Sequence, residues 1–336
     1  MTKFNFAQSL KANLEANLLT EDKDWNIKGF IDVHKNIYPI SLDTKLLSKI
    51  LELTTIPIVT SFAKKYRLKV YLAQHQLQYP DITLEGAEIK NKKYAADIKT
   101  TYRVGGKLKG GFTLGSFRGS LRSPLSTRYS RFPYSQYAKH WILGIIYTRK
   151  KEIEQKRIYS LDDLPNINSV ITDLEIILQE KYRIANYIPG SGNTANIGSV
   201  ANIEMLRNGT GPFAKYGDKV FQDYWVNYLR REDAERQGIR RPYRNLNEYF
   251  AWKKKPKGID KKYLEKQFAI PDYDGLRLLA VDEIASHKGH NYFTVVMDLE
   301  RTRVVWVGKS RAKETLDQFF KELGKERSKK DRGSSD

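Results

Sequence analysis

No cysteine occurs among the 336 residues of this chain. That excludes disulfide staples and thiolate metal centres, and it suits a reducing compartment. Acidic residues are scarce beside basic ones: 39 Asp and Glu against 59 Lys and Arg leave a formal charge of +20. An excess of that size points to a polyanionic partner. Long apolar runs are missing as well. The longest candidate, residues 141–147, falls far short of the ~18 residues of a spanning helix, so nucleic acid fits the charge better than a membrane. The N-terminus shows no basic n-region, apolar h-region or small-residue cleavage site. Glu15, Glu21 and Asp22 lie there among scattered leucines, and a cytoplasmic location is expected. No internal repeat is evident. With 40% apolar and 29% charged residues, the chain has the composition of a globular protein of one large domain or two.

Phe6, Leu10, Leu14 and Leu18 recur every fourth residue and predict an amphipathic helix. A second helix is expected to begin near Ser41 or Asp43, either of which can cap it, and to run through Leu46, Leu47, Ile50 and Leu51 until Pro57 interrupts. Tyr134, Tyr137, Ala138, Trp141, Ile142 and Ile145 fit a third helical face, which places His140 on a helix surface.

The chemistry gathers in residues 79–102. Residues 93–102 form a β-prone run whose alternation sends Asp97 and Lys99 to one face and Ala96 and Ile98 to the other. Asp81 follows Pro80, and Ile82-Thr83-Leu84 then begins a strand that can lie antiparallel to the first, bringing Asp81 close to Asp97. Two adjacent carboxylates repel unless a cation sits between them, and a hard divalent ion such as Mg²⁺ is the usual answer. Lys99 can then stabilise a phosphorane or help make hydroxide from water. For a bare D-x-K the plainer reading is a hairpin with solvated charges.

Pro80-Asp81 followed by Asp97-Ile98-Lys99 resembles the PD-(D/E)xK nuclease signature. The flanking blocks narrow the likeness. Residues 41–45, 96–102, 112–115, 140–142 and 190–194 occur in the order found in type II restriction endonucleases of the EcoRV family, over roughly residues 1–255. The resemblance implies an α/β fold, with a PD-(D/E)xK restriction-endonuclease-like core built as a mixed sheet flanked by helices. It also implies a homodimer that cleaves double-stranded DNA at a short palindrome of the GATATC type by Mg²⁺-dependent hydrolysis, each subunit reading one half-site, with a cognate DNA methyltransferase as genetic partner. Asp81, Asp97 and Glu52 would be metal ligands, with Lys99 completing the catalytic set. Gly190, Ser191, Gly192, Asn193 and Thr194 match the recognition loop. Gln76, in the Gln-rich loop of residues 72–80, would approach the minor groove; the neighbouring His75 and Leu77 depart from the family pattern. Thr44, Lys45, Thr101, Arg241 and Arg244 are the remaining DNA-contact candidates.

The residues themselves are compatible with that reading. Asn193 can pair bidentately with adenine and Thr194 can touch a thymine methyl. The same loop also fits the dinucleotide fingerprint G-x-G-x-x-A, but Pro189 precedes it and no acidic residue lies ~20 positions on to hold a ribose. Residues 105–130 mix Gly and Ser with arginines. With Arg103 and Arg131 beside them, Arg118, Arg122 and Arg128 are expected to form a flexible basic segment along a phosphate backbone.

After Trp252 the chain turns to Lys-Lys-Lys-Pro-Lys-Gly, and the expected division is a nuclease domain 1–255, a basic linker 256–275, a separate segment 276–324 and a disordered charged tail 325–336. Residues 276–324 read as three apolar strands and a helix. They resemble the start of a DDE insertion-sequence transposase catalytic domain, a partial RNase-H-like βββα fragment in which Asp282 matches the first metal-binding acid. The other two acids of that triad would lie beyond residue 324, so a fragment without transposase activity is expected. Two other readings stay open: a truncated transposase with a DNA-binding N-terminal region, and a DNA-binding remnant of a fused gene that no longer cleaves.

Overall fold

In the computed structural model the four-residue apolar spacing forms helix α1 (Phe6–Leu18), and Phe6, Leu10, Leu14 and Leu18 are all buried. Asn5 caps it by accepting the Gln8 N–H at 3.2 Å. A short antiparallel ribbon follows, β1 (Gly29–Ile31) with β2 (Ile37–Pro39). Helix α2 (Thr44–Lys65) is capped by Asp43, whose carboxylate accepts the Leu46 N–H at 2.8 Å. It does not stop at Pro57. The carbonyl left without a donor belongs to Leu53, on the exposed side of the helix, where solvent can satisfy it. The helix therefore reaches 22 residues with a stretch of mean hydropathy 1.4, long and apolar enough by composition to span a membrane, contrary to the sequence expectation. The fold uses it as a core helix, with Leu47, Leu51, Val59 and Phe62 packed in the cluster that contains α1.

The central sheet is assembled from β3 (Lys69–Leu72), β4 (Ile82–Gly86), β5 (Lys92–Val104), β6 (Lys107–Leu108), β8 (Tyr137–Arg149) and β9 (Ile171–Glu180). Its order is β3-β4-β5-β8-β9, with β6 paired to β5. The β5–β8 pair is parallel and the others antiparallel, so the sheet is mixed. Residues 137–149 correct the helical reading of that segment. Trp141, Leu143, Ile145 and Tyr147 pack on the α1–α2 side, while Ile142 and Ile146 enter a second core. A strand buried on both faces is apolar at consecutive positions, so a helical template finds its matches there too. The β-branched and aromatic content decides for the strand. His140 is accordingly a buried strand residue, 5% exposed.

The second core is closed by a small sheet of β7 (Thr113–Ser116), β10 (Ala185–Pro189) and β11 (Asn196–Ser199), in the order β10-β11-β7. Around it lie α3 (Lys181–Ile184), α4 (Ile203–Asn208), α5 (Asp218–Asn227), α6 (Arg231–Arg236) and α7 (Leu246–Lys254). Tyr224, Trp225, Tyr243 and Tyr249 pack ring on ring within it. Three of the arginines expected to track DNA have acceptors on the protein itself. Arg103 pairs with Glu175 at 2.5 Å, Arg118 with Asp233, and Arg122 donates to the Tyr228 carbonyl.

The structure describes residues 4–21, 24–150, 158–190, 195–254, 273, 276–285, 292–300, 303–310 and 312–331. The expected linker lies almost wholly outside them. Contacts divide the chain into Met1–Lys254 and Lys255–Asp336. The second unit has the three strands and helix read from the sequence: β12 (Leu279–Ala285), β13 (Tyr292–Asp298) and β14 (Arg303–Lys309) form an antiparallel sheet, followed by a helix at Lys313–Asp331. Phe319 anchors that helix against Trp306, with ring centroids 5.6 Å apart. Asp282 is exposed on β12, and its carboxylate accepts the Glu283 N–H at 2.8 Å.

Candidate active site

The β4–β5 register places Ile82 opposite Ala96, which sets Asp81 beside Asp97 at the end of the hairpin. The Asp81 carboxylate accepts the Ile98 backbone N–H at 2.7 Å. Lys99 Nζ lies 2.6 Å from Asp97 Oδ2 and 3.9 Å from Asp81 Oδ2. The alternation read from the sequence thus brings all three groups together. Burial, and then the charge of Asp97, push Asp81 up to about 7, against the pull of Lys99. Burial alone would lower Lys99, but the Asp97 and Asp81 carboxylates outweigh it and hold the ammonium above its ordinary value. One lysine therefore leaves the carboxylate pair short of positive charge.

Asp81 opens onto a cleft of about 960 Å³, whose lining also gathers Thr44, Lys45 and Glu52 from α2, Gln76 from the Gln-rich loop and Thr101 from β5. Six candidates dispersed over the sequence converge there. Glu52 raises Asp81 by its charge, yet its carboxylate is paired with Lys49 at 2.7 Å. Among the described residues no three His, Cys, Asp or Glu side chains cluster closely enough to hold a metal, so Glu52 stands off from the Asp81–Asp97 pair. The donors that do meet are hard carboxylate oxygens, which fit Mg²⁺ or a similar ion rather than a soft metal. The raised Asp81 shows where added positive charge would be stabilised.

Ser191, Gly192, Asn193 and Thr194 lie outside the described residues. Their flanks are described: β10 precedes them and β11 follows, the two strands pair antiparallel, and Gly190 N–H donates to the Asn196 carbonyl at 2.9 Å. Arg241 donates to the Tyr228 hydroxyl at 2.6 Å and Arg244 pairs with Glu248 at 3.0 Å; the Arg244 pair is exposed and open to exchange. Behind the carboxylates, sequence reasoning missed a buried polar group. The Tyr79 hydroxyl and His140 Nδ1 are 2.7 Å apart, and Tyr134 stacks on His140 with centroids at 4.1 Å. Burial first, then the Lys181 charge, hold His140 well below its usual value, hence neutral. Partners this far apart in sequence left no local signal. Ser48 and Thr100, hydroxyl to hydroxyl at 2.6 Å, likewise tie α2 to β5 beside the cleft.

The family model described as restriction endonuclease EcoRV matches residues 21–254. The chain is 36% identical over 246 residues to the type II restriction enzyme EcoRV of Escherichia coli, covering 73% of this chain and 97% of that protein. A second family model, described as transposase, matches residues 279–332. Over 67 residues the chain is 43% identical to the transposase for insertion sequence element IS1001 of Bordetella parapertussis, covering 20% of this chain and 16% of that protein. Among solved structures the NlaIV restriction endonuclease aligns over 75% of this chain and 97% of its own, at 13% identity and a TM-score of 0.36, too slight a likeness to bear on the assignment.

Proposed function

Because this chain belongs to the EcoRV restriction endonuclease family, we propose that it is a type II site-specific deoxyribonuclease cutting a short duplex palindrome with Mg²⁺ as cofactor. The observation that carries the reading is the meeting of Asp81, Asp97 and Lys99, with Asp81 lining a cleft of about 960 Å³. Asp81 and Asp97 would hold the cation, which when bound supplies charge stabilisation and a more acidic water. Asp97, the more buried of the two, is kept in place by its contact with Lys99, and Asp81 by the Ile98 N–H. The Lys99 ammonium, held above its ordinary value, is charged at neutral pH and suited to stabilising the phosphorane oxygens. Lys45 and Thr44 on α2, with Thr101 on β5, line the cleft as backbone contacts. Glu52 supports the pair by its charge, and exchange of its Lys49 partner would free it for the ion.

The reader is the segment Gly190 to Thr194, with Asn193 pairing with an adenine and Thr194 touching a thymine methyl of a GATATC-type site. Gln76 approaches the minor groove, and Arg241 and Arg244 flank the DNA. A palindrome needs two readers, hence a homodimer. Support for it comes from an exposed apolar surface: Phe30, Ile31 and Val33 at the first ribbon, with Ile158, Leu161 and Leu164 nearby across the Ile37–Tyr159 bridge. The nuclease domain is residues 1–255. Residues 256–275 are a linker, and 276–324 are a transposase-like remnant without activity. A cytoplasmic location and a protecting methyltransferase complete the proposal.

The test is digestion of a plasmid with one GATATC site by purified protein and Mg²⁺. A single linear product, blocked by chelator and lost on singly altered sites, is expected. Absence of cleavage, or cutting without regard to the site, contradicts it.

A further inference from the structure

Lys181 is a buried lysine that no sequence signal marks. It opens α3 directly after β9 and is 4% exposed. Its Nζ sits 5.2 Å from the centroid of the Tyr79 ring and 6.0 Å from that of Tyr134. Tyr79 in turn lies two residues before Asp81 and is fixed by His140. A buried ammonium is costly unless charge or π-faces compensate it. The charges acting on Lys181 are Asp97, Lys99 and Asp218, with Asp97 the largest. Burial brings its pKa down to about 8, which leaves it cationic at neutral pH.

The Asp81 and Asp97 carboxylates face the ammonium groups of Lys99 and, from the interior, Lys181, while Glu52 is paired with Lys49. Two cations thus already offset the carboxylate pair that an entering divalent ion would meet, and further negative charge arrives with the DNA phosphate.

We propose that Lys181 is a positioning residue acting through Asp97, the second cation that balances the carboxylate pair and keeps the divalent-ion affinity of the DNA-free protein low. The proposal deepens the metal-dependent reading above and rests on it. Loss of the charge therefore strengthens ion binding, the reverse of what general damage to the site would do.

The experiment measures Mn²⁺ binding to the full-length, DNA-free protein by calorimetry and electron paramagnetic resonance, with folding followed by circular dichroism. Lys181→Met should bind Mn²⁺ about tenfold or more tighter than the parent, as expected when a buried like charge that acts on a ligand carboxylate is removed. Lys181→Gln is a second neutral variant should methionine fail to fold, and Lys181→Arg, which keeps the charge, should bind as the parent does. Adding Asp97→Ala to the neutral variant should abolish the gain. Equal or weaker binding by a folded neutral variant overturns the assignment, as does a gain that survives removal of Asp97. Cleavage is scored separately on the parent. If Mn²⁺ binding behaves as expected but no DNA is cut, the nuclease reading fails while the assignment of Lys181 stands.

Discussion

Asp81→Asn should stabilise the metal-free protein while removing its activity, and the size of the effect follows from the carboxylate's surroundings. Burial and the Asp97 charge raise Asp81 from 3.8 to about 7. Between those values the native state holds a proton that the unfolded chain has released, so stability falls as pH rises through this window and the full cost is present above it. A shift of about 3 units corresponds to a ceiling of roughly 4 kcal/mol. The side chain keeps 26% of its exposure and shares its charge with Asp97 and Lys99, which brings the expected penalty to about 2 kcal/mol. Asparagine retains an oxygen to accept the Ile98 N–H, so the substitution removes charge and little else. Urea unfolding in chelator should give nearly equal stabilities near pH 3.5, below the unfolded value, and an advantage of about 2 kcal/mol for the variant near pH 8.5. Added Mg²⁺ should stabilise the parent more than the variant. A gap that does not change with pH would refute the electrostatic account of the pair.

Three further outcomes are expected. Ile145→Ala, at a position 1% exposed on the central strand β8, should cost about 2–5 kcal/mol in urea unfolding; a cost near zero would contradict the buried strand. Asn193→Ala should remove about 1–3 kcal/mol of base discrimination per half-site, read as collapsed cleavage of the cognate site, and unchanged rate and selectivity would exclude the segment Gly190 to Thr194 as reader. Truncation after Lys257 should leave specific cleavage equal to or better than that of the full chain, with less aggregation on gel filtration, because a three-stranded sheet with no further strand at either edge among the described residues invites association. A truncated protein that folds and dimerises but no longer cuts would show the C-terminal unit to be a working part.

Much of the site was legible in the sequence because its parts lie on one hairpin. Period-two alternation put Asp97 and Lys99 on one face, and the strand after Pro80 returned Asp81 to them. Helix α1 was equally plain, since one face is buried and the other wet. Strand β8 was misread for the opposite reason: with both faces buried, its middle from Trp141 to Ile146 carries no polar positions to reveal its period. Pro57 misled because its missing N–H costs little on an exposed helix face. Tyr79, His140 and Lys181 belong to three segments that only the assembled sheet brings together, and the pairing of Arg103 and Arg118 depends on acids far along the chain.

That Asp81, Asp97 and Lys99 form the catalytic centre is tested most directly by single-turnover cleavage of a duplex bearing one GATATC site, comparing the parent with Asp97→Ala and Lys99→Ala. Each variant should fold, bind the duplex and cut it at least ~10²-fold more slowly, as loss of a charge-stabilising group implies. A folded variant of either kind that cuts at the parent rate would place the chemistry elsewhere.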